Sequence, residues 1–328
     1  MAGAPGAVTV MGAGAVGCHV GGCLQAAGVT VHFVGRPRVL ADLRAHGLRL
    51  TDLDGRDQHL PAHALHLHET PPAGASLVLL CVKSAATAEA VRALPAGSRV
   101  LSLQNGVSNA DVARAAAPSA TVLAGMVPFN IAELAPGHFH RGTTGRLAVQ
   151  DHPALAAWAP VFDAAGLPLE RHANLRAVQW GKLLLNLNNP VNALSGLPLR
   201  AQLLDRDCRL VFAALQREAL AALRAAGIRP AKVAPLPPHW LPALLSLPNA
   251  LFERLAARML RIDAHARSSM ADDLARGRTT EVDAFCGEVV RLARAHGLDA
   301  PLNAKIQRLV ETDPRPRSGR ALRTELGL

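Results

Sequence analysis

Lysine is scarce in this chain, and Lys182 stands where a proton donor could act. Of 35 basic residues only four are lysine, Lys83, Lys182, Lys232 and Lys305, and the rest are arginine. Arginine keeps its proton near neutral pH, whereas a lysine drawn partly out of water can release one. A GC-rich genome that favours arginine codons accounts for the bias. It does not account for a charge inside the apolar, asparagine-studded stretch from Trp180 to Leu194. On a helix, Lys182, Asn186 and Asn189 share one face at spacings of four and three. An ammonium able to part with its proton is the raw material of acid catalysis.

A second group of residues suits a phosphate-bearing cofactor. Gly12-Ala13-Gly14-Ala15-Val16-Gly17 follows an apolar strand and opens a helix. Gly12 permits a tight turn, Gly14 lets backbone approach a pyrophosphate, and Gly17 allows helix and strand to touch. The N–H groups of the helix start, from Ala15 and Val16 onward, face the phosphates with the positive end of the helix dipole. The end of the second strand then selects the dinucleotide. An acid about 20 residues past the glycines would hold the ribose 2′-OH of NAD. Here Gly35-Arg36-Pro37-Arg38 stands instead, with Arg36 19 positions after Gly17. A guanidinium suits a 2′-phosphate, so NADP(H) is expected.

The elements that must position these groups read as two kinds. Ala7–Met11, Val29–Val34, Leu77–Val82 and Val100–Leu103 are continuous apolar runs, as in parallel strands buried on both faces. Ala15–Ala27 reads as a helix ended by Gly28. Strand–helix alternation predicts an α/β fold, an N-terminal Rossmann-type doubly wound parallel sheet. Thr121–Val127 and Arg146–Gln150 extend it, with turns at Pro136-Gly137 and Arg141–Gly145. Lys83 and Asn105 follow the third and fourth strands, at the carboxyl edge where open α/β sheets bind ligands. From Leu175 the pattern turns helical, predicting an all-helical C-terminal domain over 175–328 after a Rossmann domain over 1–174. Its helices read as Trp180–Leu194, Asp205–Ala226, Trp240–Arg261, Ser269–Ala275 and Glu281–Ala295. Breaks fall at Gly227–Pro238, which holds the Pro-rich connector Pro235–Pro238, and at Gly297–Pro301. Asp313–Arg320 reads as a polar tail with poor order, followed by a last helical turn.

Bulk composition narrows the function classes. A chain of 328 residues, half of them apolar, is long enough for two globular cores. A net charge of +10 could suit nucleic acid, but the arginines are scattered, and no Tyr, seven Phe and three Trp leave few stacking platforms. The potential can still attract anionic small molecules. No apolar run approaches the roughly 20 residues of a membrane span, and the N-terminal apolar stretch is not a signal peptide. Five cysteines in apolar contexts read as reduced thiols, so a cytoplasmic protein is expected. Cys18 and Cys23 lack a second pair to complete a zinc site.

Six motifs stand in order along the whole chain: GAGAVG at Gly12, VK at Val82, LQNG at Leu103, WGKLLLN at Trp180, SSMADD at Ser268 and TTEVD at Thr279. In kind, order and spacing they resemble the ketopantoate reductases (2-dehydropantoate 2-reductases). The resemblance implies a cleft between the two domains holding NADPH and a 2-oxo acid. It implies reduction of 2-dehydropantoate to (R)-pantoate on the way to pantothenate and coenzyme A. Lys182 matches the family's catalytic lysine, which protonates the ketone oxygen and stabilises developing alkoxide. Glu281 matches the glutamate that engages the substrate hydroxyl beside that lysine. Asn105 matches an asparagine linking cofactor and substrate, Ser269 a serine at the substrate carboxylate, and Lys83 a lysine near the cofactor. Asn186 matches the first of two helix asparagines four apart. The family spacing puts the second at Pro190; Asn189 faces the right way, while Asn192 lies in a family-like Asn-Ala-Leu-Ser and is preferred. The stretch Lys232–Arg261 looks longer than in short family members, which leaves another branched 2-oxo acid or an imine open as substrate. A non-catalytic NADPH sensor is the third reading, and retention of both Lys182 and Glu281 argues against it. The partners expected are a small-molecule 2-oxo acid and no nucleic acid or membrane; a homodimer is the assembly considered.

Each assignment has an ordinary structural counterpart. Asn105-Gly106 suits a turn, Ser269-x-x-Asp272 a helix cap, and Glu281 a helix start where acids are favoured. His59, His63, His66 and His68 suggest a metal. They alternate with Leu60, Leu65 and Leu67 after a turn at Asp54-Gly55, however, and read as surface-strand histidines.

Overall fold

The first core forms because alternate residues of one strand face opposite sides of a covered sheet. In the computed structural model, which describes residues 6–233, 236–257, 259–260 and 266–328, the strands are β1 (Val8–Met11), β2 (Val31–Val34), β3 (Leu48–Asp52), β4 (Asp57–Leu60), β5 (His66–His68), β6 (Leu77–Leu80), β7 (Arg99–Ser102), β8 (Thr121–Met126), β9 (Ile131–Ala135), β10 (His138–Arg141), β11 (Leu147–Gln150) and β12 (Leu169–His172). Val8 and Val10 join Phe33, Leu79 and Leu101 on one face. Met11 joins Val34, Val78, Leu80 and Val100 on the other. Burial on both faces is why these strands are apolar without alternation.

Eight strands form one sheet in the order β12-β11-β8-β7-β6-β1-β2-β5. All its pairs are parallel except β11 with β8. The helices among these strands are α1 (Ala15–Ala26), α2 (Pro37–His46), α3 (Thr87–Arg92), α4 (Asn109–Ala116) and α5 (Ala159–Ala164). The expected α/β Rossmann-type sheet is therefore present. A second, four-stranded sheet, β4-β3-β10-β9, was not expected. Its central pair joins β3 to β10 in parallel, so residues on either side of Pro136-Gly137 are strands and not only flanks of a turn. Such non-local pairing leaves no trace in local periodicity.

The contacts divide the chain into two compact units, Met1–Leu175 and Arg176–Leu328. Among the described residues of the second, every secondary-structure element is helical: α6 (Leu175–Asn186), α7 (Asn188–Ser195), α8 (Leu199–Leu204), α9 (Arg206–Ala225), α10 (Leu241–Ser246), α11 (Asn249–Leu255), α12 (Ser269–Ala275), α13 (Cys286–Ala295), α14 (Pro301–Thr312) and α15 (Gly319–Leu326), with short 3-10 turns between some of them.

Three expected helices are broken, each for a local reason. Trp180–Leu194 divides at Leu187, because Pro190 has no N–H for the Asn186 carbonyl and its ring crowds that turn. Trp240–Arg261 divides where Leu247 turns extended before Pro248; Arg258 and Arg261, like Pro235 of the connector, lie outside the described residues. Glu281–Ala295 begins with a 3-10 turn, Val282–Ala284, before α13. The expected loose tail is instead held by Arg317. Its backbone N–H donates to Leu194 O, and its buried guanidinium donates to Asp313 and to Glu325 at 2.8 Å. Among the described residues no helix is long and apolar enough to cross a membrane, and all five cysteines are free thiols.

Candidate functional site

The glycine turn after β1 has the shape its spacing predicts. Gly12 has φ +108°, and the backbone N–H groups of Gly12 and Ala13 both donate to Val34 O. A Cβ on Gly12 would meet Val82 N at 2.6 Å and Cys81 C at 2.8 Å, so the neighbouring strand end leaves no room for a side chain. A Cβ on Gly17 would meet Gly12 O and Val10 Cγ1. Gly14 differs: its backbone is extended, and a Cβ there would meet nothing within 4 Å. The first N–H of this turn to bond back is that of Cys18, to Gly14 O at 2.8 Å. The N–H groups of Ala15, Val16 and Gly17 are the unpaired donors that every helix start carries. No acid stands in the first turn. Open space at Gly14 beside a helix start without negative charge fits a pyrophosphate.

Arg36 precedes α2 with extended backbone and an exposed side chain, while Pro37 occupies the first helical position. Gly35 N–H donates to His68 O, which fixes the end of β2 against β5. Arg38 lies 3.6 Å from Asp42 one turn on. The two strand ends carrying Lys83 and Asn105 are adjacent because β6 and β7 pair directly. Lys83 caps a 3-10 turn, Ser84–Ala86. Asn105 lies in a bend before Gly106, whose φ is +92°. Both side chains are half-buried.

In the helical unit, Lys182 and Glu281 are brought together. The lysine keeps some solvent contact. Enough protein surrounds its ammonium, however, for burial to push its pKa from 10.5 down to about 8, while the Glu281 carboxylate pulls in the opposite direction. Glu281 is half-buried at the start of the 3-10 turn before α13. The neighbours of Lys182 on α6, Trp180, Leu183 and Leu184, are buried core. Gly181 has a packing role that the sequence did not disclose. A Cβ there would collide with the carbonyl of Ala231, whose own N–H donates to Ala177 O at 2.8 Å. Gly181→Ala is therefore expected to destabilise the helical unit by about 2 kcal/mol through overpacking, read as a lowered denaturation midpoint. Unchanged stability would show that the Ala231 backbone beside α6 yields freely.

The asparagines after Lys182 separate into two roles. Asn186 and Asn189 are half-buried. Asn188 is buried and exchanges two hydrogen bonds with Gln202, at 2.9 and 3.1 Å. Asn192 is fully buried: its Nδ2 donates to Leu197 O at 2.8 Å and its Oδ1 accepts from Ser268 N–H at 2.9 Å. Both ends of the Asn192 amide are thus committed inside the protein. The cap of α12 is Ser268, not Ser269. Ser268 has the extended backbone, and its Oγ accepts from Ala271 N–H. Ser269 is left exposed in the first turn.

The histidine run divides between β4, a 3-10 turn and β5. The rings of His66 and His68 lie tilted against that of His32 of β2, with His32 Nδ1 at 3.0 Å from His68 Nε2. Among the described residues no group of three or more His, Cys, Asp or Glu is arranged to hold a metal.

Fold and site define a class: a Rossmann-type unit with a dinucleotide-type glycine turn, followed by a helical unit bearing an enclosed lysine. Family models described as ketopantoate reductase PanE/ApbA and its C-terminal part match residues 8–154 and 174–312. A 2-dehydropantoate 2-reductase of Halobacterium salinarum is 31% identical over 313 residues, covering 92% of this chain and 97% of its own. A crystal structure of a PanE/ApbA family ketopantoate reductase from Ralstonia eutropha superposes with a TM-score of 0.77 at 33% identity, covering 98% of this chain and 99% of its own. D-mandelate dehydrogenase, solved with NADH and anilino(oxo)acetate, shares the fold at a TM-score of 0.75 and 19% identity, covering 98% and 99%. The chain belongs to the ketopantoate reductase family.

Proposed function

We propose that this protein reduces 2-dehydropantoate to (R)-pantoate with NADPH, a cytoplasmic step towards pantothenate and coenzyme A. The observation that carries the reading is the enclosed Lys182 ammonium, lowered to about 8 with the Glu281 carboxylate in its field. An acid of that pKa is mostly protonated at neutral pH yet gives up its proton readily, as protonation of a ketone oxygen requires. The same positive charge stabilises the alkoxide as it develops. Glu281 holds the ammonium in its charged form and accepts a hydrogen bond from the substrate hydroxyl. Asn186 at the end of α6 and Asn189 at the start of α7, a half-buried pair flanking the break, and exposed Ser269 supply polar contacts to the 2-oxo acid. Residues 1–174 form the NADP-binding domain and 175–328 the substrate domain in this reading.

Gly12, Gly14, Ala15, Val16 and Gly17 cradle the pyrophosphate, Lys83 and Asn105 line the cofactor at the strand ends, and Arg36 takes the 2′-phosphate. A bound reduced nicotinamide supplies the hydride. Arg36→Asp is expected to weaken NADPH binding by about 2 kcal/mol, removing charge-assisted hydrogen bonds, and to spare NADH. Dissociation constants for the two cofactors test this, and equal losses would remove the NADP assignment.

The reading as a whole is tested by NADPH oxidation with 2-dehydropantoate compared with 2-oxoisovalerate. A kcat/KM clearly in favour of 2-dehydropantoate supports it. The reverse order would assign a different branched 2-oxo acid, and NADPH binding without oxidation of either would make the chain a sensor.

A further inference from the structure

We infer that Gln104 is a positioning residue that holds the Lys83 turn and Asn105 at one fixed spacing, through a buried chain of hydrogen bonds ending on both loops. Gln104 lies just beyond β7 and is 6% exposed. Its Nε2 donates to Val82 O at 2.9 Å, the carbonyl immediately before Lys83, and to Thr87 Oγ1 at 2.7 Å. Its Oε1 accepts from Ser102 Oγ at 3.0 Å. Thr87 Oγ1, fully buried, passes the chain on by donating to Asn109 Oδ1 at 3.2 Å. Asn109 Nδ2 then donates to the backbone carbonyl of Asn105 itself.

From Ser102 through Gln104, Thr87 and Asn109 to Asn105 every link runs donor to acceptor in one sense, so each bond polarises the next, while the second amide proton of Gln104 branches off to Val82 O. Both amide protons of Gln104 are used, and the two ends of the chain fall on the backbones of the two strand-end loops. A glutamine that served only the core would have no reason to end there. Strand pairing stops at Leu80 and Ser102, so beyond those residues the ladder no longer sets the distance between the loops. Gln104, with Thr87 and Asn109 as relays, sets it instead. Misplacement of a reacting group by about 1 Å costs about 100-fold in rate, which is the scale on which such a support matters.

This inference rests on the proposed role of Asn105, and a double-mutant cycle tests it. Gln104→Met keeps length and removes both donors. It is expected to lower kcat/KM for 2-dehydropantoate by about 10- to 100-fold in the otherwise native protein. In an Asn105→Ala background it is expected to lower it by no more than about threefold, because groups acting through one another are not additive. The full loss in both backgrounds, or a native kcat/KM for Gln104→Met alone, would overturn the inference. If Gln104→Met does not fold, Thr87→Val removes the relay hydroxyl at constant volume, and the same non-additivity is required of it. If no 2-oxo acid is turned over, the proposed function fails by itself. The cycle is then read on NADPH dissociation constants, where additivity again overturns the positioning role.

Discussion

Lys182→Ala is expected to bind NADPH with nearly native affinity and to lose turnover by about 1,000-fold or more, since acid catalysis and alkoxide stabilisation go together. The split matters because NADPH contacts are assigned to residues of the other unit. Near-native turnover in the variant would exclude the role. The sign of the pH dependence follows from the lowered pKa. The protonated form is the active one, so turnover should hold below about pH 8 and fall as pH rises through it. Glu281→Gln removes the charge that pulls the ammonium's pKa upward, so the fall should move to lower pH. Stability runs the other way. The folded protein holds this proton less tightly than the unfolded chain, so the cost of the buried cation is present in full below about pH 8 and is relieved as pH rises from there towards 10.5. A loss of activity above pH 8 that tracked unfolding would therefore have another source.

The second large effect separates two glycines of one turn. Gly12→Ala must put a side chain at φ +108° and against the backbone of Cys81 and Val82. It should destabilise the Rossmann unit by about 3 kcal/mol or more and lower its melting temperature by several degrees. Gly14→Ala meets no atom and has ordinary extended backbone. It should fold with stability within about 1 kcal/mol of native. Its methyl group would nevertheless occupy the place where a pyrophosphate approaches, weakening dinucleotide binding about tenfold or more, or 1.4 kcal/mol for each decade. Calorimetry and a binding titration on both variants decide it. A Gly14→Ala protein that binds NADPH normally would mean that the phosphates lie elsewhere.

What was legible in the sequence was what is local. β1, β2, β6 and β7 announce themselves as short apolar runs, and α1 ends near Gly28, as a left-handed glycine requires. Pro190 signalled a helix irregularity, and the break falls at Leu187. What stayed hidden depends on residues far apart in sequence. The second sheet joins Thr51 to His138 and His140. Asn192 finds its partner 76 residues later at Ser268, so its type alone did not show that the fold uses it as a clamp. The choice of Ser268 over Ser269 as cap turned on which serine was extended. Gly181 looked like part of a motif, and its reason is the carbonyl of Ala231 fifty residues on. Arg317, inside a segment that reads as a loose tail, gathers the carboxylates that order it.

The most direct measurement is an NMR titration of the Lys182 ammonium, assigned by its absence in Lys182→Ala. The enclosure described here, with Glu281 opposing it, requires a midpoint at about 8 that drops further in Glu281→Gln. A midpoint near 10.5, unmoved by that substitution, would describe a solvated surface lysine and would contradict the assignment of Lys182 as the proton donor.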